Sequence, residues 1–350
     1  LQMHLPGAKS GCYLFNPVWQ LDFAPAASAL RIYPAIAEHL SKIFSIPYEY
    51  AYEYIDKKPA QSSLARLRAT NITVTEHGIP TLTNECSQPN SFDFDTPFTN
   101  AQFKCHSKFA RLYTDLQHSR LLNESPLSEA PRIRSCGGEG NGDLYRHMHR
   151  QAAGIFNDDE FRAITLWRLG KPIRNTTTEC CKINHKTANT CLQPVCPRLL
   201  HAAICKSGSG IFFIHNAIRD TIGAICSEAG LFTLIEQHVE CYTKTNDKGE
   251  VTLAKLDVVA HGGPHLEQFH IDATVRNPHS IGYGGGPAIT NGYAAKHGDN
   301  NKFKKYTSSD GQKVYPASIE TYGRLSPHFL TLLRKLDELA TSHSNRLGIP

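Results

Sequence analysis

The stretch from Leu253 to Tyr306 constrains this chain most, because it carries acidic residues inside two segments that otherwise have the pattern of apolar strands. In Phe269–Val275, apolar residues alternate with polar ones, which predicts a strand with Asp272 on its polar face. Upstream, Leu256–Ala260 predicts a second strand that contains Asp257, and glycines 262 and 263 supply a turn between the two. Neighbouring strands would bring the two carboxylates together.

A buried aspartate without a partner is costly, so two of them in apolar strands suggest that they share one. A divalent cation with oxygen ligands is the simplest such partner. The run Lys302–Tyr306 adds the positive charge that a bound phosphate needs. Two carboxylates, a metal and a lysine are typical of a site that cleaves phosphodiesters. The structural alternatives are a turn aspartate at position 257 and a solvent-facing helix surface for the lysines.

Composition narrows the class of protein. A chain of 350 residues has room for two or three domains. It contains no apolar run of roughly 18 to 20 residues, the length that spans a bilayer. The opening Leu1–Gly7 lacks the pattern of a secretory signal, so we expect an intracellular protein, and one that is part of a longer chain. The formal charge of +5 is compatible with a nucleic-acid partner.

Cysteine and histidine are concentrated between residues 180 and 205. The chain has 11 cysteines, an odd number, and without an export signal a disulfide framework is the weaker interpretation. Cys191, Cys196, His201 and Cys205 have spacings that suit tetrahedral zinc, with Cys180 or Cys181 as substitutes. The alternative is a set of separate buried thiols.

The remaining pattern indicates a mixed α/β chain in three regions. Residues 1–150 are predicted to be mostly helical and irregular, with a linker near 125–143. Residues 151–206 should hold a helix that begins at Asn157, followed by the zinc-binding module. Residues 207–345 should alternate helices and strands, with a mobile glycine-rich loop over 282–298 and a last helix that follows Ser326.

Several short motifs recur in an order that is recognisable. They are Asp159–Phe161, Arg168–Ile173, the cysteine and histidine cluster, His215–Asp220 with Ala229 and Gly230, Asp257, Asp272–Val275 with Pro278, Lys302–Tyr306, and Tyr315 and Pro316 with Glu320 and Gly323. This succession resembles the C-terminal region of non-LTR retrotransposon polyproteins. In that family a zinc knuckle follows the reverse transcriptase and precedes a restriction-enzyme-like endonuclease.

The resemblance implies a PD-(D/E)XK fold, a mixed sheet flanked by helices, that nicks target DNA to prime reverse transcription. Asp257 and Asp272 match the first and second acids, which bind magnesium. Thr274 stands where the lysine is usually found, and in these retroelement enzymes the lysine comes from further along, which points to Lys302, with Lys305 as the alternative. Glu236 is a candidate third carboxylate.

The zinc cluster would then be structural and would help to grip DNA, with RNA as a second partner, in the nucleus if the host is eukaryotic. The basic residues expected to assist are Lys182, Lys186, Arg198 and Lys206. No polymerase Tyr-x-Asp-Asp motif occurs, so this chain should not synthesise DNA. Two further hypotheses stay open: a zinc-stabilised nucleic-acid-binding module without catalysis, and a decayed, inactive retroelement fragment.

Overall fold

The computed structural model describes residues 29, 37–38, 41–42, 45, 47, 49, 53, 55–69, 72–74, 80–82, 105–141, 157–184, 187–202, 204–205, 207, 210–245, 249, 251–262, 268–308 and 310–347. The chain divides into two compact units, residues 1–124 and 125–350. In the first unit, helices α1 (Lys58–Ala69) and α2 (Cys105–Glu124) contact an antiparallel pair, β1 (Ile72–Val74) and β2 (Pro80–Leu82).

The second unit is a mixed α/β structure. Its helices and strands are α3 (Ala130–Ser135), α4 (Asp158–Leu169), β3 (Thr178–Glu179), β4 (Pro194–Val195), α5 (Gly210–Glu228), β5 (Phe232–His238), β6 (Lys244–Thr245), β7 (Val251–Thr252), β8 (Lys255–His261), β9 (Gln268–Arg276), α6 (Gly286–Ile289), α7 (Tyr293–Lys305), β10 (Val314–Glu320) and α8 (Pro327–Leu347). Short 3-10 helices cover Glu240–Tyr242 and Ile281–Tyr283.

A mixed four-stranded sheet in the order β10-β9-β8-β5 is the centre of this unit. The pairs β5/β8 and β8/β9 are antiparallel, whereas β9 and β10 are parallel. Parallel neighbours need a crossover connection, and α7 provides it between β9 and β10. Both strands predicted around the two aspartates are therefore present, and they pair directly with each other.

Helices cover both faces of the sheet. On one face, Ile222 and Cys226 of α5 and Leu332 and Leu336 of α8 pack against the apolar side of β8 and β9, including Ile271. On the other face, a smaller cluster contains the buried residues Tyr242, Leu256, Val259, Tyr306 and Val314. The apolar alternation of Phe269, Ile271 and Ala273 thus faces the first core, and Asp272 points to the opposite side.

Helix α7 approaches the sheet closely because Gly298 has no side chain. A Cβ atom built there would lie 2.7 Å from Ser318 Oγ and 3.1 Å from Thr274 Cγ2. Backbone contact of this kind is a recurring use of glycine. The contact at Gly298 determines how close α7 lies to the sheet. It thereby also positions Lys302, which lies one turn further along the same helix.

Local signals explain where α4 begins and ends and where α8 begins. Asn157 and Glu160 form a reciprocal capping box at the start of α4, and Gly170 ends that helix with φ +67°. At α8, Ser326 Oγ accepts a hydrogen bond from the Phe329 amide.

Three segments differ from expectation. The predicted loop over 282–298 contains α6 and most of the first half of α7. The predicted linker near 125–143 contains α3, and residues 125–141 lie within the second unit. The pattern after His215 predicts a helix that starts at that residue, but α5 begins at Gly210, so His215 lies in its second turn. In the described part of the chain, no helix has the length and apolar character needed to cross a membrane.

Candidate active site and metal centre

Asp257 of β8 and Asp272 of β9 lie next to each other in the sheet. The ladder between these strands runs from His261↔Gln268 to Val258↔Ile271 and ends one residue before Asp257 and Asp272. At this position the Asp257 side chain takes part in the pairing, since its Oδ2 accepts a hydrogen bond of 2.7 Å from the Ala273 amide. Because Ala273 directly follows Asp272, this hydrogen bond brings the Asp257 carboxylate to the backbone beside Asp272.

Helix α7 supplies the amine of this site. Lys302 Nζ forms an ion pair with Asp272 Oδ2, and the Lys302 side chain is only 15% exposed. The other oxygen of Asp272, Oδ1, accepts a hydrogen bond of 2.7 Å from the Tyr306 hydroxyl. Asp272 thus contacts two residues that lie one turn apart: Lys302 within α7 and Tyr306 at the C-terminal end of that helix.

Helix α5 supplies an imidazole. His215 Nε2 lies 3.0 Å from Asp257 Oδ1. Exposure rises in steps across the cluster, from 5% for the Asp272 side chain to 16% for Asp257 and 32% for His215. The site is therefore buried at Asp272 and open to solvent on the His215 side, which is the side from which a substrate can approach.

Charges within this cluster balance one another. Burial raises the pKa of Asp257, but the hydrogen bond from His215, the charge of its ring, the Ala273 amide and Lys302 outweigh burial and hold that pKa below its usual value. The hydrogen bond to Asp257 raises the pKa of His215 above its ordinary value. Two acids are thus matched by one lysine and, when it is protonated, one histidine.

The donor set of the acidic pair suits a hard cation. Carboxylate oxygens on two adjacent strands are ligands that magnesium accepts, and that ion commonly binds through one or two carboxylates together with substrate phosphate. The predicted third carboxylate does not take part. Glu236 is exposed and pairs instead with Arg219 at 2.5 Å and Lys255 at 2.5 Å. Its backbone has φ +56°, which interrupts the regular strand geometry opposite Asp257.

Lys305, the alternative to Lys302, contacts Tyr306 rather than the acids themselves. Its Nζ is 2.7 Å from the Tyr306 hydroxyl and 4.5 Å from the centre of the same ring. It contacts the residue that binds Asp272 and forms no ion pair with the carboxylate itself. Of the two lysines, the structure therefore brings Lys302 to the acidic pair.

A second centre lies in the cysteine-rich module. Cys180, Cys191, His201 and Cys205 have ligand atoms that all lie within 4.8 Å of one another, the group of this kind found among the described residues. Sulfur atoms are 3.6 Å apart for Cys180 and Cys205 and 3.8 Å apart for Cys191 and Cys205, and Cys191 Sγ is 3.3 Å from His201 Nε2. Tetrahedral zinc with Zn–S bonds of about 2.3 Å needs S···S separations of about 3.8 Å. The cluster can hold a metal such as zinc.

Cys196 is not part of this cluster, contrary to the predicted ligand set. The antiparallel pair β3/β4 explains the exchange, because Cys180 extends that ladder, donating its amide to Gln193 O and accepting from the Leu192 amide. The hairpin formed by this pairing brings Cys180 close to Cys191. Cys181, the other substitute considered, is exposed.

The basic residues expected to grip nucleic acid near this centre differ in their surroundings. Arg198 donates to Glu129 Oε1 at 2.5 Å, so its charge is already matched within the protein. Lys182 is exposed. Lys186 and Lys206 lie outside the described residues.

No protein-family model and no curated protein matches this chain. What the chain does must therefore be argued from the two centres themselves.

Two residues of the acidic site had no assigned role in the sequence. In the sequence, His215 is only the first residue of a short motif, and Tyr306 only the end of a lysine run. The residue types carried a signal: a histidine and a tyrosine flank the segments that hold the acids and the lysine. Their partners were not visible, because each contact joins residues at least 34 positions apart.

Proposed function

We propose that residues 207–345 form a metal-dependent DNA endonuclease domain of a retroelement, which nicks target DNA to prime reverse transcription. Two contacts carry the proposal: Asp257 accepts a hydrogen bond from the Ala273 amide, next to Asp272, and Asp272 forms an ion pair with Lys302 of the following helix. The resemblance of the motif order to non-LTR retrotransposon polyproteins supplies the biological context.

The restriction-endonuclease-like fold is part of this proposal. It is supported by a mixed four-stranded sheet with helices on both faces, in which the acids lie on two central, antiparallel strands and the lysine on the crossover helix. A site of this kind needs rigid support for its reacting groups. Here both acids lie on the two central strands of the sheet.

Each residue has a role that follows from its position. Asp257 and Asp272 would hold a magnesium ion, which when bound polarises the scissile phosphate and lowers the pKa of an attacking water. Lys302, beside Asp272, would stabilise the negative charge that builds up on the phosphate. Tyr306 orients Asp272 through its hydroxyl, and His215, on the open side, holds Asp257 in place.

The cysteine-rich module would hold zinc through Cys180, Cys191, His201 and Cys205 and act as a structural element beside the nuclease. DNA is the proposed partner, with RNA as the second nucleic acid. Of the four basic residues predicted to contact nucleic acid, Lys182 is exposed and remains available for a phosphate.

The test is a nicking assay with supercoiled plasmid, magnesium and the purified chain. Asp272→Asn and Lys302→Met should each lower the nicking rate by at least about 100-fold, since each removes a group that acts on the transition state. Lys305→Met, one turn away on the same helix, should keep at least about a third of the wild-type rate, because it forms no ion pair with Asp272.

Other outcomes would select the other hypotheses. Magnesium-independent DNA binding without nicking, unchanged by Asp272→Asn, would indicate a zinc-stabilised binding module. A chain that neither retains zinc nor nicks DNA would indicate a decayed element. Equal loss of nicking in Lys302→Met and Lys305→Met would contradict the role given to Lys302.

A further inference from the structure

A buried glutamate ends β10, four residues beyond Pro316, which is the register partner of Asp272. Glu320 is 2% exposed, and its Oε1 accepts hydrogen bonds from two backbone amides of α7, at 2.9 Å from Ala294 N and at 3.2 Å from Ala295 N. Strand residues advance about 3.3 Å each, so this carboxyl lies about 13 Å along the sheet from Asp272. The chemistry proposed for the acidic site does not use it.

The two amides belong to the first turn of α7, where the backbone N–H groups have no partner inside the helix. A side chain at the N-cap position usually accepts a hydrogen bond from one of them, but Gly292 holds that position and has no side chain. Glu320 therefore replaces the missing cap from a neighbouring strand. A cap within the helix would stabilise that helix alone, whereas this one also fixes its first turn to β10.

Helix α7 contacts the sheet along one face, and its direction opposes that of β9 and β10. The helix residues that make these contacts, spaced by three, four and four residues, are Ala295, Gly298, Lys302 and Tyr306. The first binds Glu320, the second approaches Ser318, and the last two contact Asp272. The carboxyl groups of Glu320 and Asp272 thus hold opposite ends of the same helix.

A rigid helix transmits a displacement of its first turn to Lys302. Gly298 lies three residues after Ala295 and four before Lys302, which is about 4.5 Å and about 6 Å along the helix axis. With the close contact at Gly298 as the pivot, a shift of the first turn produces a shift of similar size at Lys302. Misplacement of a reacting group by about 1 Å can reduce a rate about 100-fold. The position of the first turn therefore matters to Lys302, although it lies two turns away.

We propose that Glu320 is a positioning residue, whose hydrogen bonds to the first turn of α7 hold Lys302 beside Asp272. Its effect on the reaction rate rests on the nuclease function proposed above, whereas its effect on the position of Lys302 does not. A cap that only stabilised α7 would lower the melting temperature when removed and would leave Lys302 in place.

The acceptor oxygen of Glu320, rather than its charge, makes this contact. Burial raises the pKa of Glu320, and the Ala295 amide and the charge of Arg324 are among the effects that oppose the rise. Both protonation states of a carboxyl group can accept hydrogen bonds. Glu320→Gln keeps an acceptor in the same place, Glu320→Ala removes it, and Glu320→Asp keeps the charge but shortens the side chain by one methylene. The three variants therefore separate acceptor, charge and reach.

Lysine labelled with carbon-13 at Cε reports on Lys302 without any substrate. In the wild-type spectrum the Lys302 signal is identified by its absence in Lys302→Arg, and it should differ from the signals of exposed lysines, because Lys302 is 15% exposed and paired with Asp272. In Glu320→Ala it should move toward the exposed lysines, whereas in Glu320→Gln it should stay. Glu320→Asp gives the same test if Glu320→Ala does not fold, because its shorter side chain does not reach both amides.

Nicking kinetics on supercoiled plasmid with magnesium supply the functional readout. Glu320→Ala should lower kcat about 10-fold and change KM less than about 2-fold, because Lys302 acts on the transition state rather than on binding. Glu320→Gln should restore kcat to near the wild-type value. Glu338→Ala, at an exposed position of α8, is the matched control and should change neither the Lys302 signal nor the kinetics.

The outcomes separate this proposal from the nuclease function. A Lys302 signal that stays in place in both Glu320→Ala and Glu320→Asp would overturn the positioning role and leave the nuclease standing. A signal that moves as far in Glu320→Gln as in Glu320→Ala would also overturn it, since the acceptor oxygen would then not hold the helix. If the signal moves as expected but the wild type does not nick DNA, Glu320 positions Lys302 and the nuclease function is overturned.

Discussion

Lys302 neutralises a carboxylate that is almost completely buried. The Asp272 side chain is 5% exposed, so its charge depends on the ion pair and on the Tyr306 hydroxyl. Removing one partner of a buried pair typically costs about 3–5 kcal/mol, because the other charge is left without compensation. Loss of nicking in Lys302→Met must therefore be separated from loss of folding, and Asp272→Asn in the same chain should restore much of the lost stability.

The metal cluster contains Cys180 in place of the predicted Cys196, and this difference can be tested by mutation. Cys180→Ser removes one of four ligands that lie at tetrahedral distances, so the purified protein should retain less than about a fifth of the wild-type zinc. Zinc per chain, measured by atomic emission after dialysis against a weak chelator, is the readout. Cys196→Ser and Cys181→Ser are the controls and should retain zinc fully, and loss of zinc in Cys196→Ser would restore the ligand set expected from spacing.

Residue types and local order were enough to identify the acids and the lysine. Asp257 and Asp272 stood out because aspartate is unusual in apolar strands, and Lys302 because it lies in a basic run after them. Cys180 was only a substitute, since its place depends on the β3/β4 pairing, a contact that spacing along the chain does not encode. Glu236 fitted by type, but Arg219 and Lys255 hold it outside the site.

Among the elements, α7 packs closely on the sheet at Gly298. Gly298→Ala would place a Cβ atom 2.7 Å from Ser318 Oγ, so the helix must move away from β9 and β10. Because Lys302 moves with the helix, nicking should fall by about 10- to 100-fold. Nicking rate and thermal stability would be measured together, with Gly285→Ala as the control, since nothing lies within 4 Å of a Cβ atom there. An unchanged nicking rate in Gly298→Ala would show that this contact does not position Lys302.

The same helix carries a buried acid that the site does not use. Asp299 is fully buried, and burial raises its pKa although the hydroxyls of Ser318 and Ser326 partly oppose that shift. A raised pKa means that the folded state holds the proton more tightly, so this group lowers stability as pH rises above 3.8 and through the folded-state pKa.

Asp299→Asn should therefore stabilise the protein at neutral pH by about 1–3 kcal/mol, because it removes the cost of burying a charged carboxylate. Its advantage over wild type should shrink as the pH falls toward 3.8. Urea unfolding at a series of pH values measures this, with the exposed Asp337→Asn as the control. An advantage that does not change with pH would contradict the assignment.

Strong patterns predicted elements well where apolar periodicity and caps agreed. The strands of residues 256–260 and 269–275, the capped helix α4 and the helix that follows Ser326 are all present. The glycine-rich stretch over 282–298 was expected to be a loop, yet it contains α6 and the start of α7. Gly286 and Gly298 serve close packing, whereas a Cβ atom at Gly282, Gly284 or Gly285 would meet nothing, and composition alone does not distinguish these uses.

At the scale of the whole molecule, residues 125–141 join the second unit through buried arginines. Arg168 of α4 donates to Cys136 O at 2.7 Å, to Asn141 Oδ1 at 2.6 Å and to Tyr322 O at 3.1 Å. Glu129 binds both Arg132 and Arg198, which connects this segment to the cysteine-rich module. Sequence composition suggested a linker here because long-range contacts of arginine with backbone carbonyls leave no periodic signal.

The shared cation at Asp257 and Asp272 is the claim on which the proposed chemistry depends. Manganese, which binds oxygen ligands as magnesium does and is detectable by electron paramagnetic resonance, measures it directly. Titrated into the zinc-loaded chain, manganese should occupy one site, and Asp257→Asn and Asp272→Asn should each weaken its binding at least about 10-fold. Binding that is equally tight in the wild type and in both variants would contradict the account.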